Sequence, residues 1–561
     1  MKTKLIYALI LSPVFGLLLS CNPASQAESK PENIIHLNQL GYLPDGYKSA
    51  VVIGPSEHFT IIDIQTKTIA HRGELSTPQY WEASGETVRI AEFSNLTQPG
   101  TYVLVVGGSN SYEFEIARDV YADVATASVK AFYFHRASVA LEEKYAGIYA
   151  RPAGHPDTAV GIHVSAASIS RPEGTMISSP KGWYDAGDYG KYIVNAAITV
   201  STMMSVFEHY PEKAGSMDSN IPESGNETPD LLDEIRWDLD WMLTMQDPED
   251  GGIYHKLTTK SFPDMIMPEM DTESRWIMMK TTPAALDFAA SMAQASRVYK
   301  PYDVEFSDQC LAAALKAWNW ARANMEVYYA QPKDIHTGAY DQPGKPFNDE
   351  KFWAATELSI TTGEKYEAEI PAIMFVPEWR DGATLAAMGL LNYQSDSTVQ
   401  EAFFVLADSL LDAQVNSAYD VSNDAFRWGS TSDFLNQAMV LLYAYKVSGE
   451  KAYKDAAQST FDWVLGKNPN GYSYVTGYGE KTSMHIHHRP SEADDNIGPQ
   501  PGWVVGGPNP ENKADCGAAA YTSAFPAKAY VDALCSYATN EIAINWNGVF
   551  VYVAIALDAE G

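Results

Sequence analysis

The sequence predicts a multidomain chain: a small N-terminal immunoglobulin-like β-sandwich, then a large all-α domain built as a helical toroid or barrel. Three observations predict it. The chain has 561 residues, 46% of them hydrophobic, which exceeds one ordinary domain and can bury an extensive core. Short β-branched and aromatic runs crowd residues 33–118. From 119 to 561 the texture changes to amphipathic helical stretches joined by Gly-, Pro- and Asn-rich loops.

The first element is a targeting segment. Lys2 and Lys4 precede an apolar run, Leu5 to Ser20, too short to span a membrane comfortably. Residues 1–20 read as a lipoprotein signal peptide, because the run ends Leu18-Leu19-Ser20 before Cys21, in the manner of a bacterial lipobox. Cys21 is then the expected lipidation site, and the polar stretch over residues 21–32 a tether. An ordinary signal peptide with an incidental Cys is the alternative. Lipidation implies an exported protein anchored through lipid at the cell envelope, on the outer membrane or cell surface.

In the sandwich, Tyr112-Glu113-Phe114-Glu115-Ile116 alternates apolar and polar residues with period two. Ala50 to Ile53, Phe59 to Ile62 and Tyr102 to Val106 are compact strand candidates, and Gly107-Gly108-Ser109-Asn110 is a turn. In the helical part, Leu435, Ala438, Met439, Leu442 and Tyr445 share one helical face. Tyr453, Ala456, Ala457 and Val464 repeat the pattern, and Gly466 reads as a stop. Further helices are expected near 231–245, 284–299, 309–323, 350–361 and 400–413.

The formal net charge is −32, which repels nucleic acid and anionic headgroups while suiting a neutral polymer. With 33 Tyr and 13 Trp, the chain also has rings to spare for stacking on apolar sugar faces. After Cys21 only Cys310, Cys516 and Cys535 remain, without zinc-type spacing. A Cys516–Cys535 bond is left open by the sequence.

Three segments carry chemistry. In Lys181-Gly182-Trp183-Tyr184-Asp185-Ala186-Gly187-Asp188-Tyr189-Gly190, two carboxylates lie close on a tight loop. Such a pair can hold a water and accept its proton, or simply cap backbone amides in an Asx turn. Trp183, Tyr184, Tyr189 and Tyr192 are candidate walls of a sugar groove. The second segment is Ser473 to Gly479, followed by His487-His488-Arg489-Pro490, where His and Arg can bind hydroxyls or orient a carboxylate. The third runs Tyr530-Val531-Asp532 to Tyr537 and on to Asn547. There Glu541 is either an acid whose apolar neighbours raise its pKa and keep it a proton donor, or simply an exposed Glu at a helix boundary.

These three motifs, in this order, resemble glycoside hydrolase family 9, a group of inverting cellulases with an (α/α)6 barrel, and the resemblance covers essentially the mature chain. Asp185-Ala186-Gly187-Asp188 matches the family's DAGD motif, and Ser473 to Arg489 and Tyr530 to Asn547 fit its His-x-Arg and Asp/Glu patterns. Ile34-Ile35-His36-Leu37-Asn38-Gln39-Leu40-Gly41-Tyr42 resembles the opening of the immunoglobulin-like module of one branch. Gly548 departs from the pattern, which expects Ser, Thr or Ala there.

The resemblance implies an endo-β-1,4-glucanase acting on cellulose-type polysaccharide. The family also implies an exo-acting alternative (β-glucosidase, cellobiohydrolase or exo-β-glucosaminidase), for which residues 160–180 and 259–280 are candidate segments to close the groove. From another class, the chain could be a surface glycan-binding lipoprotein without catalysis. Carried over by position, Asp188 is the base, Asp185 holds the water, Glu541 is the acid, and Asp532 and His487 complete the catalytic set. Arg489, His255, Trp546 and Tyr184 are substrate-binding candidates. The expected partner is a β-linked polysaccharide or oligosaccharide met by a monomer, with no nucleic acid and with membrane contact only through lipid. No cofactor is implied for catalysis. Structural calcium has Asp349, Glu350 and Asp381 as candidates, whereas Gly154 before His155 stands where a zinc-ligating Cys would sit and argues against zinc.

Overall fold

A computed structural model describes residues 34–494, 498–511 and 515–561. The signal peptide, Cys21 and the tether lie outside the described residues.

The N-terminal domain is a two-sheet sandwich of β1 (Ile34–His36), β2 (Gly41–Tyr42), β3 (Ser49–Ile53), β4 (His58–Asp63), β5 (Ile69–Glu74), β6 (Gln79–Trp81), β7 (Glu86–Glu92), β8 (Gly100–Val106) and β9 (Ser109–Ile116). One sheet has the order β1-β3-β7-β6 and the other β2-β9-β8-β4-β5. Pairing is antiparallel except for β2 with β9. Alternate residues such as Tyr42, Val52, Phe59, Ile61, Leu104 and Phe114 meet between the sheets, as a sandwich core requires.

The second domain is an (α/α)6 barrel. Among the described residues it has eleven helices of 11 residues or more. Six are buried on nearly every face: Ile193–His209, Thr282–Tyr299, Asn348–Thr362, Ala383–Tyr393, Ser430–Ser448 and Ile544–Glu560. They form the inner ring. The outer layer is Ala122–Phe134, Asp230–Thr244, Val304–Ala323, Ser397–Asn416 and Lys451–Val464. The barrel also carries a small sheet. Short strands β10 (Val160–Ile162), β11 (Met176–Ile177), β12 (Lys191–Tyr192), β13 (Lys256–Thr258) and β14 (Trp276–Ile277) form a sheet at one end of the barrel. Strands of two or three residues are too short to show a period.

The two domains are welded by buried polar contacts. Asn38 Nδ2 donates to Asp462 Oδ1 at 2.8 Å and to the Tyr121 hydroxyl at 3.2 Å. Gln39 reaches the Gly471 carbonyl and accepts from the Lys481 amide. Gly466 follows the Lys451–Val464 helix, but its glycine also serves this interface: a Cβ there would lie 2.6 Å from the Leu37 carbonyl oxygen.

Candidate active site

The three motifs converge on Gly187. The Asp185 carbonyl accepts the Ile544 amide at 3.0 Å, and Ala186 bridges Ala543, so the Asp loop is spliced to the start of the Ile544–Glu560 helix. Glu541 stands three residues before that helix. His487 bridges Glu541 in parallel, its amide donating to the Asn540 carbonyl at 2.9 Å. Arg489 closes the knot, with its backbone amide at 3.1 Å and Nη1 at 2.8 Å both donating to the Gly187 carbonyl.

Gly187 must be glycine for reasons of space. A Cβ there would stand 2.1 Å from the His487 carbonyl oxygen and 3.2 Å from Glu541 Oε1. Gly187→Ala is therefore expected to push the Asp loop off the His487 backbone and cost at least tenfold in kcat, since small misplacements of reacting groups are expensive. Steady-state kinetics beside a thermal melt would check it.

Each carboxylate has its own surroundings. Asp188 is buried, and its Oδ2 accepts the Gly190 amide at 2.7 Å, so the Asx turn and the paired carboxylates coexist. Asp185 Oδ1 accepts from Asn195 Nδ2 at 2.8 Å and Oδ2 from the Tyr340 hydroxyl at 2.7 Å. Burial, then the nearby Asp188 charge, push the Asp185 acid up to about 8. Glu541 is raised well above the usual carboxylate range, first by burial and then by Asp188, against an opposing pull from Arg489. The site thus holds a glutamic acid that keeps its proton past the ordinary carboxylate range, beside an aspartate loop in which Asp185 is raised as well.

His487 Nδ1 lies 2.7 Å from the Leu534 carbonyl. A carbonyl only accepts, so Nδ1 carries the proton and Nε2 is left as the acceptor of the neutral ring. Burial lowers the His487 pKa and favours that neutral form. The Asp532 carboxylate accepts the amides of Met484 and His485 and Asn540 Nδ2 at 2.8–3.1 Å. It positions the loop that carries His487. Arg489 spends Nε on the Pro263 carbonyl as well as Nη1 on Gly187, so it ties the 259–280 segment to the Asp loop.

Several of the expected substrate-binding residues are buried. Trp183, Tyr184, Tyr189 and Tyr192 are at most 2% exposed and pack in the interior. The Tyr184 hydroxyl is held by His155 Nδ1 at 2.8 Å, and Trp183 Nε1 donates to Glu234. His255 is wholly buried, stacked on Tyr329, with Nδ1 on Thr281 and Nε2 on the Ala339 carbonyl. Trp546 is 8% exposed and packs where Gly429 and Gly506 leave room. Loop aromatics have no periodic face, so their direction is not legible from order alone.

The exposed rings lie elsewhere. Trp428 and Tyr537 stack with centroids 5.6 Å apart, and Tyr537 meets the His487 ring edge-on at 5.8 Å. They are 44% and 36% exposed, so their faces are open to solvent. Tyr340 was also unmarked by any motif. It adopts φ +49°, a costly conformation for a tyrosine, and is held there because His255 and Lys256 bond the carbonyls of Ala339 and Gly338 before it.

The proposed calcium ligands are brought together, but around an ammonium. Lys345 Nζ bonds Asp349 Oδ2 at 2.9 Å, Glu350 Oε1 at 3.2 Å and the Arg380 carbonyl. No group of three or more His, Cys, Asp or Glu spaced for a metal occurs among the described residues. His155 has both ring nitrogens engaged, by Tyr184 and by Asp271 at 3.1 Å. Lys345→Met is expected to cost about 3 kcal/mol, the low end for stripping one partner from a buried ion pair because Lys345 is partly exposed. A melting curve would check it.

An acid carboxyl facing a carboxylate pair at the end of an (α/α)6 barrel defines a carbohydrate-cleaving hydrolase. The comparisons agree. The model for glycosyl hydrolase family 9 matches residues 121–554, and the model for the cellulase N-terminal Ig-like domain matches residues 30–111. The chain belongs to glycosyl hydrolase family 9. It is 41% identical to a xyloglucan-specific endo-beta-1,4-glucanase of Bacteroides ovatus, over 99% of this chain and 98% of that one. It is 32% identical to endoglucanase D of Acetivibrio thermocellus, over 98% and 86%. The solved structure of a Bacteroides ovatus family 9 protein superposes with a TM-score of 0.87 at 40% identity, covering 94% of this chain and 99% of that one.

Proposed function

We propose that the enzyme is an inverting endo-β-1,4-glucanase, with Glu541 as general acid, Asp188 as general base and Asp185 as its partner in holding the water. The observation that carries this reading is the meeting of Glu541 with the Asp185–Asp188 loop at Gly187. In a single displacement, Glu541 gives its proton to the glycosidic oxygen while Asp188 takes one from water, which adds to the opposite face of the sugar. His487, Trp428 and Tyr537 line the acid side. The similarity to a xyloglucan-specific enzyme and to endoglucanases supports a β-1,4-glucan backbone, with branched xyloglucan the first substrate to try.

One observation keeps the exo alternative open. The 259–280 segment is pinned over the Asp loop by Arg489 on Pro263 and by the Tyr189 hydroxyl on the Ile266 carbonyl. Product lengths over time on cellulose, xyloglucan, mixed-linkage glucan and chitosan decide it. Long and mixed early products are expected; release of one short product from the start would overturn endo action. Export with lipid at Cys21 is proposed on the sequence of residues 1–21 and is tested by mass spectrometry of the mature N-terminus.

A further inference from the structure

The segment that delivers Glu541 has little regular structure of its own. Between Cys516 and Tyr537 the chain forms only a three-residue 3-10 turn, Pro526–Lys528. Yet it supplies two supports of the acid side: the Leu534 carbonyl, which fixes the His487 tautomer, and the Asp532 carboxylate, which holds the Met484 and His485 amides. An unsupported loop of this length samples many conformations, and each residue fixed costs entropy. Something must hold it.

Its middle is held by Tyr530, whose hydroxyl meets Ser483 and Asn540, and by Ala527 and Lys528 against Ala83 and Glu86; its two ends are held by two adjacent cross-links. Cys516 and Cys535 form a disulfide with Cα atoms 5.1 Å apart, closing a loop of sequence separation 19. Next to it, Asp515 accepts the Ala538 amide at 3.0 Å and the Tyr521 hydroxyl at 2.7 Å, and Tyr521 meets Ser536. Cys535 directly follows Leu534 and stands six residues before Glu541. The bond therefore lies immediately beside the one backbone carbonyl that orients His487.

We infer that the Cys516–Cys535 disulfide is a positioning pair for the acid half of the reaction: it holds the Leu534 carbonyl and the Asp532 carboxylate where they set His487 and Glu541 against the leaving oxygen. The inference rests on reading Glu541 as the acid. It touches neither the Asp185 carboxylate, held by Asn195 and Tyr340, nor the Asp188 carboxylate, held by the Gly190 amide of its own loop. Loss of the bond should thus impair protonation of the leaving group and spare the attack of water.

Leaving-group dependence separates these halves, because a dinitrophenolate departs without help whereas a sugar alcohol must be protonated. The test compares oxidised enzyme, enzyme reduced with a phosphine, and Cys516→Ser/Cys535→Ser, on a β-glucan oligosaccharide and on the matching dinitrophenyl glycoside. Cys535 is exposed, so the reductant reaches it, and the remaining described thiol, Cys310, is buried. Expected is a loss in kcat of about tenfold or more on the oligosaccharide, under threefold on the dinitrophenyl glycoside, and recovery on reoxidation. Equal losses on both substrates, or none on either, would overturn the inference. If the double variant fails to fold, the reduced wild-type enzyme, its fold checked by circular dichroism, decides between these outcomes by itself. Glu541→Gln is the control: a flat leaving-group response there would instead refute Glu541 as the acid.

Discussion

Glu541→Gln is expected to lower kcat on β-1,4-glucan by about 10²–10⁴-fold, the usual contribution of a positioned general acid. Glutamine keeps the shape and the backbone bridge to His487 but has no proton to give. The wild-type rate also has a pH signature. Burial and the aspartate charges hold the Glu541 proton on well past the ordinary carboxylate range. A raised pKa means the acid form persists as pH climbs, so the rate should hold to higher pH than an ordinary carboxyl allows and then fall. In Glu541→Gln that alkaline limb should shrink or vanish. The kcat profile of both enzymes checks this, and an unchanged rate on polymer would remove Glu541 from the chemistry.

Asp188→Asn is the second large loss, again about 10²–10⁴-fold, because the attacking water then has no base. It carries an electrostatic corollary. Asp188 ranks directly after burial among the causes that raise both Asp185 and Glu541. Taking away a like charge favours ionisation, so both acids should fall: Asp185 from about 8 toward the ordinary range, and Glu541 with it. Carbon-13 NMR of the carboxyl resonances across a pH titration reads this directly. Acids that stay put would mean that burial alone raises them.

Much of the fold was legible, and the failures share a cause. Strand runs such as Ala50–Ile53 and Tyr102–Val106 fall inside β3 and β8, because compact β-branched and aromatic runs bounded by turn residues favour strands. Helices with a polar face, such as Asp230–Thr244 and Ser397–Asn416, also announced themselves. The inner helices Ile193–His209 and Ile544–Glu560 did not: buried all round and rich in β-branched residues, they have no period to read. The motif carboxylates were visible as local spacing, and so was the Asp/Glu pattern. Tyr340 was not, since its contact with Asp185 spans 155 residues and depends on a left-handed backbone that order does not reveal. Cys516 and Cys535 could be seen as a pair, but not that they flank the carbonyl holding His487.

The most direct measurement is the anomeric form of the first product. Proton NMR during hydrolysis of a β-1,4-linked oligosaccharide should show the α-anomer appearing first and the β-anomer growing only by mutarotation. Initial release of the β-anomer would mean that the aspartate pair attacks the sugar itself rather than activating water, and single displacement at this site would be wrong.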